Sequence, residues 1–319
     1  MTAPAAPSSA RLRAHPRPPA PRALVVLAFA AVYVAWGSTY LAIRIAVASF
    51  APPILAGVRF TIAGAGLLVA LRIAGRSVLP SASELGALAI VGALLLVGGN
   101  GLVVWAEQSV PSGLAALIVA TVPLWMAGLA ALPPARERLP ARAVLGLALG
   151  FVGVAILVAP GAATGGTGRG DAAVLLAALF WSCGSLYARR KTTTVDPLVA
   201  TGWEMLIGGA LFLVIAAAAG SNATTHPTAA GLLALLYLIV FGSWVGFTAY
   251  VWLLAHVSAA KAATYAYVNP VIAVALGWWI LDERMSAAVA LGSATIVVAV
   301  VLVTTARIRV HARAPGAEA

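Results

Sequence analysis

The heptapeptide TYAYVNP, residues 264–270, lies inside an apolar run of about residues 259–281 that is long enough to cross a bilayer as one helix. Proline has no N–H group, so Pro270 leaves the carbonyl of Ala266 without its helical partner. In hydrocarbon such a carbonyl must find another partner or line a cavity. The stretch therefore predicts a membrane-spanning helix that is interrupted near its middle.

A second proline interrupts an earlier apolar run of about residues 110–130, within Thr121-Val122-Pro123. There the proline frees the carbonyl of Val119 in the same way. The two prolines are 147 positions apart, and the residues around them match at nearly that offset. Proline-interrupted helices at corresponding positions of two halves are typical of transporter binding sites.

The composition is that of a polytopic membrane protein. Of 319 residues, 62% are hydrophobic and 9% are charged, and the mean hydropathy is +1.01, whereas a soluble domain carries about a quarter charged residues. Cys183 is the one cysteine, which excludes an internal disulfide and a thiol cluster for a metal. The net charge of +11 is carried by residues that flank the apolar runs, so no nucleic-acid partner is expected.

Hydrophobicity predicts ten membrane spans and therefore an all-α membrane protein. The spans cover roughly residues 24–43, 53–72, 85–105, 110–130, 143–159, 172–189, 198–219, 229–254, 259–281 and 287–306. Residues 1–22 are predicted to form a disordered basic arm. A signal peptide is the alternative for this start, but the apolar run is too long for one and nine more spans follow.

Lysine and arginine predict the orientation of the chain. If the N-terminus is placed in the cytoplasm, 16 lysine and arginine residues fall on inner segments. Three fall on outer segments: Arg44, Arg169 and Arg284. Both termini are therefore predicted to be cytoplasmic, including the tail of residues 307–319.

The halves of the chain repeat each other. Trp36 and Arg44 match Trp181 and Arg189 at an offset of 145 residues, and Trp105 matches Trp252 at 147. The predicted repeats are residues 23–159 and 172–306, joined by a glycine-rich loop at 160–171. Each contains five spans, so the second copy enters the membrane in the opposite sense, and such inverted repeats suit alternating access. A duplication kept only for packing is the alternative, which the matched prolines disfavour.

Four stretches resemble the EamA-type transporters of the drug/metabolite transporter superfamily. They are WGSTYLAIR (36–44), PPILAGVRF (52–60), GGNGLVVWAEQSVPSGLAALIVATVPLW (98–125) and TYAYVNPVIAVALGWWILDER (264–284). The resemblance extends over about residues 24–306. It implies ten helices in two five-helix repeats around a central cavity. It also implies export of amino acids, metabolites or drugs across a bacterial inner membrane.

Arg59 and Glu204 are charges well inside the second and seventh predicted spans. Burying a charge is costly, so such residues usually mark a substrate pathway or an ion pair. For Arg59 the alternative is that its long side chain reaches the outer headgroups. Glu204 is too short for this, and it is a candidate carrier of a coupling proton because desolvation favours the protonated form.

Asn100 and Asn269 are amides inside predicted spans and are further candidates for the substrate cavity. Asn100 follows two glycines, which allow close approach of another helix. Helix–helix hydrogen bonding is the alternative role for Asn100, and for Asn269 it is capping of the carbonyl that Pro270 frees.

Aromatic candidates for the cavity wall come from both halves: Trp36, Tyr40, Trp105, Trp181, Trp252 and Tyr265. Interfacial belts are the common alternative for membrane aromatics, and Trp278 and Trp279 are assigned to a belt. Tyr265 and Tyr267 cannot share one helix face, so only one of them is expected to face a cavity.

The sequence lacks two motifs that are typical of metal-dependent and nucleotide-binding enzymes. Neither HExxH nor the phosphate-binding GxxxxGK[ST] occurs, and no cofactor or metal is predicted. Asp171 is interpreted as the N-cap of the sixth span.

The sequence predicts a transporter that exports small molecules by alternating access on an ion or substrate gradient, as a monomer or homodimer. An uptake permease of the same fold and a membrane enzyme acting on lipids are the alternatives.

Overall fold

The computed structural model describes residues 21–132, 139–158, 168–191, 194–221, 225–257, 262, 264–283 and 286–305. Ten helical rods account for most of this part of the chain, and each overlaps one predicted span. They are α1 (Arg22–Ala46), α2 (Pro52–Ile73), α3 (Ala82–Ala106), α4 (Ser112–Ala131), α5 (Ala141–Val158), α6 (Gly168–Arg190), α7 (Pro197–Ala218), α8 (Ala229–His256), α9 (Tyr265–Leu281) and α10 (Ala287–Thr304). The predicted all-α membrane fold is confirmed. The predicted arm up to residue 20, most of the glycine-rich loop and the C-terminal tail lie outside the described residues.

Seven of these rods are long and apolar enough to cross a membrane. The other three are shorter apolar helices, with apolar segments Ala141–Ile156, Val268–Leu281 and Ala287–Val303. That α5, α9 and α10 also cross the membrane, which would make ten crossings, therefore remains a prediction.

Several helices begin at side-chain caps. The Ser81 hydroxyl accepts from the amide of Glu84, whose carboxylate accepts in return from the amide of Ser81, which makes a capping box for α3. The carboxylate of Asp196 caps α7. The predicted N-cap role of Asp171 is wrong, because α6 already begins at Gly168 and places this residue in its first turn. A carboxylate in that turn still interacts favourably with the helix dipole.

Two π-helical segments interrupt α3 and α8, at Ala93–Asn100 and Leu238–Val245. Their first residues differ by 145 positions, which is the offset of the sequence repeat. Both copies thus carry the same local distortion at the same place. Such π-bulges often occur at functional sites.

The helices α2 and α7 cross at glycines that are also related by this offset, Gly57 with Gly202 and Gly64 with Gly209. A Cβ atom added to Gly64 would lie 2.5 Å from the backbone nitrogen of Leu206. One added to Gly209 would press on the backbone of Thr61. The two backbones therefore touch, as small residues allow between membrane helices.

Candidate substrate site

The predicted interruption at Pro123 divides α4 into two segments, Ser112–Val119 and Val122–Ala131. The hydroxyl of Thr121 donates to the carbonyl of Ile118 at 2.6 Å. From α6, the hydroxyl of Ser182 donates to the carbonyl of Val122 at 3.2 Å. Side-chain hydroxyls thus donate to backbone carbonyls on both sides of the break, which helps to satisfy backbone groups at membrane depth.

The matching interruption predicted at Pro270 is wrong, because α9 runs unbroken from Tyr265 through this proline to Leu281. In the repeat, Thr121 corresponds to Val268, which has no hydroxyl group to donate to the carbonyl one turn earlier. Pro270 removes one backbone hydrogen bond, and the helix continues past it. The two halves therefore differ at the place where their prolines match.

An aromatic cluster joins α1, α8 and α9. The ring centroid of Trp36 lies 5.2 Å from that of Phe247, 5.1 Å from that of Tyr250 and 5.0 Å from that of Tyr265. The indole N–H of Trp36 donates to the carbonyl of Gly242 in the π-helical segment of α8 at 3.1 Å. Edge-to-face and tilted contacts of this kind stabilise aromatic groups beyond the area they bury. The cluster holds one side of Trp36 in place between both halves of the chain.

Of the predicted aromatic residues, Trp36 and Tyr265 meet in this cluster, and Tyr40 is near enough to Tyr265 to interact with it electrostatically. Sequence reasoning missed Phe247 and Tyr250. Their spacing of three residues, which places them on one helix face, was the available signal.

Among the described residues, the other aromatic candidates make no ring contact with this cluster. Trp105 is 46% exposed near the end of α3, which suits an interfacial belt. The ring of Trp252 stacks on that of His256 with centroids 4.0 Å apart. Trp181 packs against Gly99, where an added Cβ would lie 3.0 Å from the indole, and so it lies beside the π-helical segment that ends at Asn100. Trp278, assigned to a belt from sequence, is exposed.

Arg59 is a buried cation without an acidic partner among the described residues. It is 3% exposed, its Nε donates to the hydroxyl of Ser243 at 3.2 Å, and its Cζ lies 4.7 Å from the ring centroid of Phe60. The NH1 group is buried with no hydrogen-bond partner. Burial argues against the alternative that this side chain reaches the headgroups.

Glu204 does not pair with Arg59. The ion pair that the described residues contain joins Arg76 to Asp196, at 2.7 Å. Glu204 is half-buried, and its backbone carbonyl packs against Gly92 of α3. The two intramembrane charges therefore belong to separate environments.

Asn100 and Asn269 each leave one buried side-chain acceptor unpaired. The side-chain carbonyl oxygen of each is buried without a hydrogen-bond partner, and Asn269 is 6% exposed. Within the described residues, Asn269 does not cap the carbonyl that Pro270 frees. A buried acceptor left unpaired costs about 1–3 kcal/mol, so each position calls for a ligand or a water.

The part of the chain that the structure describes contains no cluster of three or more His, Cys, Asp or Glu residues that could hold a metal ion.

Apolar spanning helices, an internal repeat and unpaired polar groups buried between helices define a multi-pass membrane transport protein. The chain belongs to the EamA-like transporter family, whose model matches residues 23–159 and again residues 168–305. One copy of the family model thus falls on each half of the chain.

Relatives match over most of their length. The chain is 42% identical over 275 residues to the uncharacterized inner membrane transporter YedA of Escherichia coli K12, covering 86% of this chain and 88% of that one. It is 27% identical over 261 residues to a probable terminal-alkyne amino-acid exporter of Streptantibioticus cattleyicolor, covering 81% and 86%. A solved structure with 23% identity has a TM-score of 0.63 and covers 88% of this chain and 97% of its own. That likeness supports the fold alone.

Proposed function

We propose that this protein exports small organic molecules, with amino acids as the first class to test, across a bacterial inner membrane by alternating access. The aromatic cluster around Trp36 carries the proposal, because it joins α1 of the first half to α8 and α9 of the second. A substrate bound there would contact both halves, and relative movement of the halves would expose it to either side. The Escherichia coli and Streptantibioticus relatives are named as an inner membrane transporter and an amino-acid exporter, which supports the location and the direction.

The substrate site we propose contains Trp36, Tyr40 and Tyr265 as its wall and Asn269 as a hydrogen-bonding group. Arg59 lacks a carboxylate partner among the described residues, so a carboxylate on the substrate would supply the missing charge. Asn100, at the end of the first π-helical segment, and Trp181 of α6, which packs against Gly99, form a neighbouring group. We leave Trp105 and Trp252 out of this site.

No nucleotide-binding motif is present in the sequence, so we propose that an ion gradient or the substrate's own gradient drives transport. Glu204 is our candidate for carrying a coupling proton. Both termini are placed in the cytoplasm by the distribution of lysine and arginine.

A growth screen of an overexpressing strain against amino acids, their analogues and toxic compounds tests the proposal. Resistance to a compound, lost in the Asn269→Ala variant at equal membrane abundance, is the expected result. Efflux from preloaded cells then measures the direction. Accumulation of the compound inside the cells would support the uptake permease instead, and catalytic conversion of a lipid would support the enzyme.

A further inference from the structure

A fully buried carboxylate lies between α3 and α4. Glu107 follows the last residue of α3 and has an exposed fraction of 0%. Both of its carboxylate oxygens are buried without a hydrogen-bond partner. Holding a charged carboxylate in such a place without a partner costs several kcal/mol, which favours the neutral, protonated form.

The charged and titratable groups around Glu107 come from three directions. From α1, the guanidinium of Arg44 donates to the backbone carbonyl of Glu107, and Tyr40 lies within reach of its charge. Beyond the end of α9, Glu283 acts on it electrostatically. The packed helix α6 carries Arg169 and Asp171 in its first turn, but Glu283 and Arg44 set the electrostatic environment of Glu107.

The neighbouring Glu283 joins the two halves of the chain. One oxygen of its carboxylate accepts from the amide and the hydroxyl of Ser112, at 2.8 and 2.9 Å, and the other accepts from the amide of Gly113 at 3.1 Å. These residues open α4 in the first half, whereas Glu283 follows α9 in the second. A carboxylate suits a helix N-terminus, where the first backbone amides have no partner within the helix and the dipole is positive. By the predicted orientation, this contact between the halves lies at the outer face.

We propose that Glu107 is a proton-binding site at the outer face, and that the bound proton holds the contact between Glu283 and the start of α4 closed. When the halves separate, water reaches Glu107 and the carboxylate releases its proton to the outer solution. When they close again, the carboxylate takes a proton from that solution. The site serves the proposed function by linking the closed state of a transporter to the pH outside the cell.

Electrostatics gives the direction of the pH dependence. Burial first, and then the charge of Glu283, raise the pKa of Glu107 well above its usual range, while Arg44 acts in the opposite sense. An acid with a raised pKa in the closed form stabilises that form at low pH, and the stabilisation is lost as the pH rises through the raised value. Acid outside therefore favours closure, and alkali favours opening.

Cysteine labelling tests the proposal without a substrate. A negative result would therefore overturn the role of Glu107 and leave the proposed transport function untouched. Val110 has an exposed fraction of 0% in the same loop, and Val110→Cys is placed in a Cys183→Ser background. A membrane-impermeant maleimide is added to intact cells at a series of outer pH values. The exposed residue Gln108 provides the control Gln108→Cys, which corrects for the greater reactivity of any thiolate at high pH.

The corrected rate at Val110→Cys should rise with pH, by up to about tenfold for each pH unit across the transition. Adding Glu107→Gln, which mimics the protonated form, should leave the rate low at every pH. Adding Arg44→Gln should move the midpoint to higher pH, a readout that does not depend on the folding of the Glu107 variant. A corrected rate that does not change with pH, a midpoint unmoved by Arg44→Gln, or absence of labelling at Gln108→Cys from outside would each overturn the proposal.

Discussion

At the scale of single residues, the unpaired side-chain oxygen of Asn269 is the most direct candidate for substrate contact. We expect Asn269→Ala to remove a hydrogen bond worth about 1–3 kcal/mol, which weakens binding by roughly five- to more than a hundredfold. Initial efflux rates at equal membrane abundance measure the effect. Gln108→Ala removes an exposed amide and should leave the rate unchanged. Equal rates in the two variants would place the site nearer Asn100 and Arg59.

Glu204 can be tested as a proton carrier, because its carboxylate has no cationic partner among the described residues. If it carries the coupling proton, Glu204→Gln should lose accumulation driven by a proton gradient and keep substrate exchange. Proteoliposomes with and without an imposed pH gradient separate the two activities. Glu84→Gln, at the exposed cap of α3, is the matched control. A pH dependence that survives in Glu204→Gln would return this residue to a structural role.

At the scale of helices, sequence predicted where the elements lie better than which faces they present. Each apolar run became one rod, and the break beside Pro123 was predicted from the lost backbone donor. The spacing of Phe247 and Tyr250 places them on one helix face. That this face meets α1 was not predicted, because the π-helical segment before them shifts the helical register by about 100° for one inserted residue. The helix α9 continues through Pro270, where the repeat has Val268 in place of Thr121, so matching prolines alone did not predict matching breaks.

A methyl group added at the crossing of α2 and α7 would test how closely these helices must approach. A methyl group on Gly64 would meet the backbone of Leu206, at 2.5 Å, and not a movable side chain. We therefore expect Gly64→Ala to destabilise the protein by about 1–3 kcal/mol, measured as a lower melting temperature by fluorescence-detected size-exclusion chromatography. Gly86→Ala in α3 meets nothing within 4 Å and should be neutral or stabilising, since alanine favours helix by about 1 kcal/mol. Equal melting temperatures would show that the two helices do not need this close approach.

At the scale of the whole molecule, the repeat now rests on structure as well as on sequence. The π-helical segments of α3 and α8 and the glycine contacts of α2 and α7 follow the same offset of 145 residues. The distorted segments therefore occupy equivalent positions in the two halves. The aromatic cluster departs from this symmetry, since it takes one helix from the first half and two from the second.

Opposite orientation of the two halves is the last prediction. Five spans in each copy carry the second copy through the membrane in the opposite sense, and the lysine and arginine count places the N-terminus inside. Reporter fusions after Arg76, Lys191 and Arg313 should therefore report the cytoplasm, and fusions after Gln108 and Asn222 should report the outside. The fusion after Asn222 is decisive because it follows seven predicted spans, an odd number that includes the whole first repeat. A cytoplasmic report there would mean that one predicted crossing is missing. If that crossing belongs to the first repeat, the halves share one orientation, and exchange of their conformations can no longer exchange the open faces.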